Sequence, residues 1–284
     1  MTYGEIYKKA VGILTDSGLD SPDYDVRCML EYHFGLDRMS FLKERSSTAD
    51  SKKETDFFRD IQKRAEGYPL QYLLKGWSFM DCELSVGEGV LIPRDDTEVC
   101  VRECMRLIDE KGMTKPVIID LCSGSGAIAI ALAKKYPKAH IFAVEISNRA
   151  YEFLCENIDR NETRNVTPLN KDVFEVYIEF EDGYFDVIIS NPPYIRTAEI
   201  TALQKEVQFE PQMALDGGED GLEFYRVISK KWLPKLKNGG IVSVEIGEEQ
   251  GEAVSSMLKM AGIENIQVLK DLGGLDRTVA GQKN

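Results

Sequence analysis

The sequence predicts an α/β protein, in which a doubly wound, Rossmann-like sheet follows a small N-terminal helical domain. Two observations predict this fold class. From Pro116 onward, apolar runs of strand length alternate with helical patterns, as in a parallel sheet covered by crossover helices. One of these runs leads into a glycine-rich turn that opens a helix, a usual nucleotide-binding unit. The 284 residues suffice for a small domain joined to a larger one.

The apolar pattern of residues 1–75 predicts a helical domain. Ser21-Pro22-Asp23 combines a cap, a proline and an acidic first turn, and the apolar stripe that follows stops at Gly35. A second amphipathic pattern begins at Phe57 and ends at Gly67. Because no catalytic pattern occurs in this range, we interpret it as a packing or substrate-docking domain.

Residues 76–94 predict a hairpin linker. Alternating stretches from Phe79 to Val86 and from Val90 to Ile92 are separated by the glycine-containing segment 87–89. The α/β domain then occupies residues 95–284 and begins with a helix from Thr97. Its predicted strands are 117–121, 141–145, 186–190 and 241–246, with further strands near 167–169, 264–270 and 276–281.

Composition narrows the function. A formal net charge of −13 disfavours extended nucleic-acid binding, because phosphate contacts require a basic surface. No apolar run reaches the ~18 residues that a membrane span needs, and the N-terminus lacks a secretory pattern. The six cysteines form no CxxC pair and no cluster with the two histidines. We therefore expect reduced thiols, no metal site and a cytoplasmic protein.

The glycine-rich turn follows the apolar strand that ends at Asp120. Gly124 and Gly126 let a ligand approach the backbone, and a second strand ends about 20 residues later in Glu145, where a carboxylate can bind a ribose diol. The turn also fits the fingerprint of nicotinamide dehydrogenases. The acidic end of the first strand favours S-adenosylmethionine instead. For Asp120, ligand contact and ordering of the loop are equally good interpretations.

Asn191-Pro192-Pro193-Tyr194 follows the apolar run 186–190 and predicts a loop that methylates a planar nitrogen. The lone pair of such a nitrogen is delocalised, so acceptors must hold its hydrogens. Asn191 offers a carboxamide oxygen, and the two prolines lack N–H groups and fix φ, which frees the neighbouring carbonyls to face a site. Tyr194 offers a flat surface for a planar group. An ordinary turn is the competing interpretation of the bare tetrapeptide.

With these motifs in this order, the sequence resembles the HemK/PrmC family of methyltransferases, which modify the glutamine in the Gly-Gly-Gln loop of peptide chain release factors. The resemblance extends over nearly the whole length. It is carried by the segments 67–76, 90–94 with Thr97-Glu98, 120–130, 191–195, and 210–226. It implies an enzyme, a protein-(glutamine-N5) methyltransferase of translation termination, with class I release factors as protein substrates. Direct nucleic-acid or membrane binding is not expected.

The resemblance also implies which residues bind the donor. Asn191 is expected at both the donor and the acceptor, and Pro192, Pro193 and Tyr194 are expected at the acceptor, with Asn191, Pro192 and Tyr194 catalytic. The other expected donor-binding residues are Asp120, Cys122, Ser123, Gly124, Ser125, Gly126, Glu145, Asp172 and Val173. Three positions depart from the family pattern. Cys122 replaces a glycine, Asp95-Asp96 replaces a Pro-Glu pair, and Val173 replaces an aromatic residue that would stack on adenine.

Three other functions compete with this interpretation. An adenine-N6 or guanine-N2 methyltransferase uses a similar loop but would need a basic recognition domain or aromatics for a flipped base. A nicotinamide dehydrogenase would fit the glycine turn alone. A binding module without activity would be expected to have lost Asn191 or the glycines, and it has kept both.

Overall fold

The structure, a computed structural model, describes all 284 residues and divides into two compact units. The first unit comprises Met1–Gly76 and Gln204–Phe209, and the second comprises Trp77–Leu203 and Glu210–Asn284. These units differ from the predicted ranges in two places. The segment predicted as a linker belongs to the second unit, and a short segment from the middle of the α/β domain groups with the helical unit.

The first unit is a helical bundle. Its helices are α1 (Tyr3–Asp16), α2 (Pro22–Phe34), α3 (Arg38–Glu44), α4 (Ser51–Ala65) and α5 (Leu70–Leu74). The predicted start and end of α2 are confirmed. Pro22 is the first residue of the helix, and Gly35 ends it with φ 70°. Apolar faces of α1, α2 and α4 meet in a core that contains Ile6, Met29 and Phe57, each fully buried.

The hairpin of the second unit lies earlier than predicted. Strand β1 (Trp77–Phe79) pairs with β2 (Cys82–Leu84), and the turn between them places Met80 at φ 50°. The prediction of a strand at 90–92 was wrong. Val90 and Ile92 are buried although they form no strand, and the Ile92 N–H donates to Glu210 Oε2 at 3.0 Å. The alternating pattern there reflects a loop that is anchored by a buried carboxylate.

A seven-stranded sheet forms the centre of the second unit and confirms the predicted fold class. Its strand order is β5-β4-β3-β6-β7-β9-β8, in which β9 alone runs antiparallel to its two neighbours. The strands are β3 (Val117–Leu121), β4 (His140–Glu145), β5 (Val166–Asn170), β6 (Phe185–Ser190), β7 (Leu236–Glu245), β8 (Ile263–Lys270) and β9 (Asp276–Lys283). All seven occur near their predicted positions, and β7 starts earlier than predicted.

Helices cover both faces of this sheet. They are α6 (Thr97–Glu110), α7 (Ala127–Lys135), α8 (Asn148–Arg160), α9 (Glu223–Val227) and α10 (Gly251–Met260). Helix α9 continues through a π-helical turn at Ile228–Trp232 and a 3₁₀ turn at Leu233–Lys235. Successive strand residues point to opposite faces, so Ile118 and Ile119 belong to separate cores. None of the helices combines the length and apolar character required to cross a membrane.

Candidate active site

Three neighbouring strands end together at one edge of the sheet. Leu121 of β3 pairs with Val144 of β4 on one side and with Ser190 of β6 on the other. Because the strands are parallel, the residues that follow them are brought to the same edge. The glycine turn, Glu145 and Asn191 therefore converge, as the order of the motifs predicts.

A cavity of about 690 Å³ lies at this edge. Seven of the predicted site residues line it, namely Cys122, Gly124, Glu145, Asp172, Val173, Asn191 and Pro193. The other six, Asp120, Ser123, Ser125, Gly126, Pro192 and Tyr194, are not among its lining residues. The other lining residues lie at 89–91, 144, 146–150, 197 and in the segment 211–224.

Backbone hydrogen bonds hold the glycine turn, one within the turn and one to the neighbouring strand β4. Ser123 N–H donates to Val144 O at 2.9 Å, and Gly126 N–H donates to Ser123 O at 2.8 Å. Gly124 and Gly126 have φ values of 54° and 85°, which favour glycine. A Cβ on Gly126 would lie only 2.5 Å from Leu154 Cδ1. Gly126 thus serves the packing of the turn on α8, whereas Gly124 faces the cavity.

Cys122 occupies the left-handed region with φ 61°, an uncommon conformation for a residue other than glycine. It lines the cavity, and burial raises the pKa of its thiol well above the usual range. The side chain that departs from the family pattern therefore adds both volume and backbone strain at the start of the turn.

Glu145 ends β4 with its carboxylate on the cavity wall. Its Oε2 accepts the Gly124 N–H at 2.8 Å and its Oε1 accepts the Ser147 N–H at 2.7 Å. Burial raises the pKa of this carboxyl, opposed by the hydrogen bonds from Ser147 and Gly124. Each carboxylate oxygen has more than one acceptor position, so the group can also accept from a diol in the cavity. This arrangement fits the ribose of a nucleoside ligand.

Asp120 lies beneath the turn and is fully buried. Neither of its carboxylate oxygens has a hydrogen-bond partner within bonding geometry, and burial raises the pKa of the group to about 8. A neutral carboxylic acid is the form that such an environment favours. Ligand contact and loop ordering both remain predictions for Asp120.

The cavity has an aromatic wall that the sequence analysis did not predict. Asp172 and Val173 line the cavity as predicted residues, and Phe174, directly after them, lines it too. Phe174 packs edge-on against Phe224, another lining residue, with 5.1 Å between ring centroids. Asp172 Oδ1 accepts the Phe174 N–H at 2.8 Å and so holds this segment. The sequence did contain a signal for Phe174, because it directly follows Val173, the position at which the family has an aromatic residue.

The Asn191 carboxamide is hydrogen-bonded through its NH₂ group. Its Nδ2 donates to Thr97 Oγ1 at 3.1 Å, while the residue lines the cavity. Asn191 Oδ1 is therefore the atom of the carboxamide that remains for a ligand. Thr97, the first residue of α6, is buried and was not predicted as a site residue.

Tyr194 anchors the far end of the same loop. Its hydroxyl donates to Glu245 Oε1 at 3.2 Å, and its carbonyl accepts from Gln250 Nε2 at 2.9 Å. Burial, together with the Glu245 charge, raises the pKa of the Tyr194 phenol. The phenol thus contacts β7 in this structure, and packing on a planar substrate group remains a prediction.

Gly217 and Gly221 pack against the backbone of the loop at Tyr194. A Cβ on Gly217 would lie 2.7 Å from Tyr194 Cα, and a Cβ on Gly221 would lie 2.5 Å from Tyr194 O. Ile195 and Asp216 form an isolated parallel bridge, in which Ile195 N–H donates to Leu215 O at 3.0 Å and Gly217 N–H donates to Ile195 O at 2.8 Å. The segment 210–226, which carries part of the family resemblance, therefore supports the loop 191–195.

Comparisons with known proteins agree with this fold. Residues 5–74 match the family model described as the PrmC N-terminal domain, and residues 104–219 match the methyltransferase small domain. The release factor glutamine methyltransferase of Thermodesulfovibrio yellowstonii is 40% identical over 79% of this chain and 80% of its own length. That of Geobacter sulfurreducens is 37% identical over 95% and 93%. A solved methyltransferase structure from Pyrococcus furiosus shares the fold, with a TM-score of 0.52 and 15% identity, over 83% of this chain and 100% of its own.

Fold and site together define an S-adenosylmethionine-dependent methyltransferase. Within that class, the chain belongs to the release factor glutamine methyltransferase family.

Proposed function

We propose that the protein transfers a methyl group from S-adenosylmethionine to the side-chain amide nitrogen of a glutamine in peptide chain release factors. The observation that carries this proposal is the held carboxamide of Asn191, whose Nδ2 is bound by Thr97 while the residue faces the cavity. An oriented acceptor at this place suits an amide nitrogen that must have its hydrogens bound before it can react.

The donor site is assigned to the cavity residues that precede this loop. Glu145 would accept from the ribose hydroxyls, Gly124 would let the backbone approach, and Asp172 with Val173 and Phe174 would hold the base. The cavity volume of about 690 Å³ lies in the range of small-molecule sites. When bound, S-adenosylmethionine supplies an electrophilic methyl group on its sulfonium.

The acceptor side is assigned to the catalytic loop. Asn191 Oδ1 and the Pro192 carbonyl would accept the two hydrogens of the substrate amide and so orient its nitrogen toward the donor. These acceptors stabilise the positive charge that grows on nitrogen, an advantage concentrated in the transition state. No strong base is required, because the nitrogen becomes acidic only as the methyl group arrives. We retain Tyr194 as the surface for the amide plane, as a prediction.

The acceptor glutamine is assigned to the Gly-Gly-Gln motif of class I release factors. Relatives that share 32–40% identity are named release factor glutamine methyltransferases, which supports this assignment. The match of residues 5–74 to the PrmC N-terminal domain supports a role of the helical unit in docking the protein substrate. We place the protein in the cytoplasm, since its six cysteines are free.

Methylation of an exocyclic amino group on nucleic acid is the alternative reaction. A net charge of −13 disfavours it, because nucleic-acid affinity depends largely on phosphate neutralisation. We therefore expect no direct nucleic-acid binding.

A labelling experiment decides whether the methyl acceptor is a release factor or a nucleic acid. The full-length protein is incubated with donor carrying a tritiated methyl group, together with a purified class I release factor, a release factor with Gly-Gly-Asn in place of Gly-Gly-Gln, DNA, or RNA. We expect label on the first factor alone. Label on nucleic acid, or equal label on the Gly-Gly-Asn factor, would contradict the proposed function.

A further inference from the structure

The turn that follows β7 presents a side-chain amide to the backbone of the loop 191–195. This amide belongs to Gln250, which directly precedes α10 and is not among the residues that line the cavity. Gln250 Nε2 donates to Tyr194 O at 2.9 Å and to Gly221 O at 3.1 Å. Its Oε1 accepts the Gly247 N–H at 2.9 Å. The NH₂ group and the oxygen of the amide are therefore both bound to backbone groups.

The orientation of this amide follows from what its partners can donate or accept. A backbone N–H only donates and a carbonyl only accepts, so Oε1 faces Gly247 and the NH₂ group faces Tyr194 and Gly221. The residue is also held by its own backbone, because the Gln250 N–H donates to Gly247 O at 3.0 Å. Gln250 and Gly247 thus hold each other by two hydrogen bonds, which fixes the direction in which the NH₂ group points.

The loop 191–195 depends on hydrogen-bond donors from outside itself. Two of its five residues are prolines, which have no N–H group. At those positions the backbone can be held only through its carbonyls. Tyr194 directly follows the prolines, and its carbonyl accepts from Gln250. A side chain 56 positions away along the chain therefore orients the peptide unit at the end of this loop.

The same amide also binds the segment that leads to the aromatic wall. Gly221 lies two residues before α9, and Phe224 of that helix lines the cavity. The Tyr225 hydroxyl, next along the helix, donates to the backbone carbonyl of Glu245 at 2.8 Å and lies 3.4 Å from Gln250 Oε1. Gln250 thus contacts both the loop proposed to bind the acceptor and the segment that carries part of the proposed donor site.

We propose that Gln250 is a positioning residue, which sets the placement of the loop 191–195 relative to Phe224 during methyl transfer. The inference rests on the proposed function, because it assigns this contact to the alignment of the substrate nitrogen with the methyl group of the donor. Such alignment matters greatly, since a misplacement of about 1 Å can lower a rate by about 10²-fold. Because Gln250 does not line the cavity, its loss should lower kcat and leave binding nearly unchanged.

Substitutions of Gln250 in the full-length protein test this role. Gln250→Glu keeps the shape and an oxygen for Gly247, but its carboxylate cannot donate to the two carbonyls. Gln250→Met has a similar length and no charge, and it removes the same hydrogen bonds. With saturating donor and release factor, we expect kcat to fall about ten- to a hundredfold in both variants. The dissociation constant of the donor and the KM for the release factor should each change less than about threefold.

Gln267→Glu is the matched control, because it makes the same change at an exposed position of β8. Its kcat, KM and donor affinity should equal those of the unmodified protein. Calorimetric titration counts the donor sites per chain, and kcat is expressed per counted site. A loss of folded protein then lowers the count and not the corrected kcat. An unchanged corrected kcat in Gln250→Glu and Gln250→Met would overturn the inference.

Hydrogen exchange tests the contact in the unmodified protein, whether or not the variants fold. The side-chain amide hydrogens of Gln250, observed by NMR, should exchange with solvent more slowly than those of Gln267. Exchange that is equally fast at both residues would overturn the inference. Absence of any transfer to the release factor by the unmodified protein would instead contradict the proposed function. Failure of the inference alone would appear as normal transfer by the unmodified protein and by both Gln250 variants.

Discussion

The proposed donor side and the proposed acceptor side of the cavity are built in different ways. On the donor side, Glu145 is held by Gly124 from the adjacent strand's turn and by Ser147 two residues away, and Asp172 is held by Phe174 in its own turn. On the acceptor side, Asn191 is held by Thr97, which is 94 positions away, and the Tyr194 carbonyl by Gln250, 56 positions away. The donor side is thus a local motif, whereas the acceptor side is assembled from distant segments.

This difference has a functional consequence. A local motif keeps its geometry as long as its strand and turn form, so substitutions there should act on donor binding. A loop held by distant partners depends on the packing of the whole second unit, so substitutions at its supports should act on kcat. Variants that affect each side separately test this difference.

The largest effect is expected for Asn191→Ala. Removing the oriented acceptor should lower kcat by about 10²–10³-fold, the usual cost of losing one preorganised polar group in a transition state. Donor affinity should stay within about threefold, because the glycine turn and Glu145 remain. Steady-state kinetics with release factor, alongside calorimetric titration of donor, measure the two quantities. Equal losses in both would show that Asn191 is mainly a donor contact.

Gly217→Ala should damage the acceptor side without touching the cavity. Its Cβ would lie 2.7 Å from Tyr194 Cα, so the catalytic loop must shift. We expect kcat to fall at least about tenfold and the free energy of unfolding to fall by ~1–3 kcal/mol. Gly12→Ala is the matched control, since a Cβ there meets nothing within 4 Å. Denaturant melts and kinetics on both variants provide the measurement, and unchanged kcat in Gly217→Ala would contradict the role of this support.

Gly126→Ala should damage the donor side instead. At φ 85° and 2.5 Å from Leu154 Cδ1, the new methyl group strains the turn and pushes it from α8. We expect donor affinity to weaken about tenfold, with a stability loss of ~1–3 kcal/mol. Gly183→Ala is the control, because Gly183 has φ 67° and an added Cβ there meets nothing within 4 Å. Its loss of stability should therefore come from the strained backbone conformation alone. If both variants bind donor as well as the unmodified protein, the packing of the turn does not control the site.

Donor binding should also depend on pH through Glu145. Burial raises the pKa of this carboxyl above its ordinary value, so its ionised, accepting form is complete only above the raised pKa. Affinity should therefore fall as pH falls through that pKa, and it should begin to fall at higher pH than for an exposed glutamate. In Glu145→Gln, binding should be weaker at neutral pH and less dependent on pH. Titrations of donor across the acidic range test this, and identical pH profiles would contradict it.

The smallest effect is expected for Cys122→Gly. Glycine relieves the left-handed strain of ~1–2 kcal/mol at φ 61° but adds chain entropy to the unfolded state, so the two terms nearly offset. The free energy of unfolding should change by less than about 1 kcal/mol. Because the cavity wall loses a side chain, we expect donor affinity to change by only a few-fold, toward tighter binding. A large loss of affinity would mean that the thiol itself contributes to the donor site.

Sequence patterns predicted the two sides of the cavity unequally. Strands β3, β4 and β6 were predicted within a residue of their observed bounds, because strands buried on both faces have continuous apolar runs. The hairpin was misplaced, because its turn uses Met80 and Asp81 and not the glycines at 87 and 89. Phe174 was missed although it adjoins Val173. Thr97 carried no signal as a site residue, since its partner Asn191 is 94 positions away in the chain.

The fold class, the glycine turn, the carboxylate at the end of β4 and the Asn-Pro-Pro-Tyr loop follow from sequence patterns alone, because each depends on residues close together in the chain. Folding determines which of these residues face the cavity, brings Phe174 and Phe224 together as a wall, and places the Asn191 carboxamide against Thr97. The physical reason is that hydrogen-bond direction depends on what the neighbouring group can donate or accept, and that neighbour is supplied by folding.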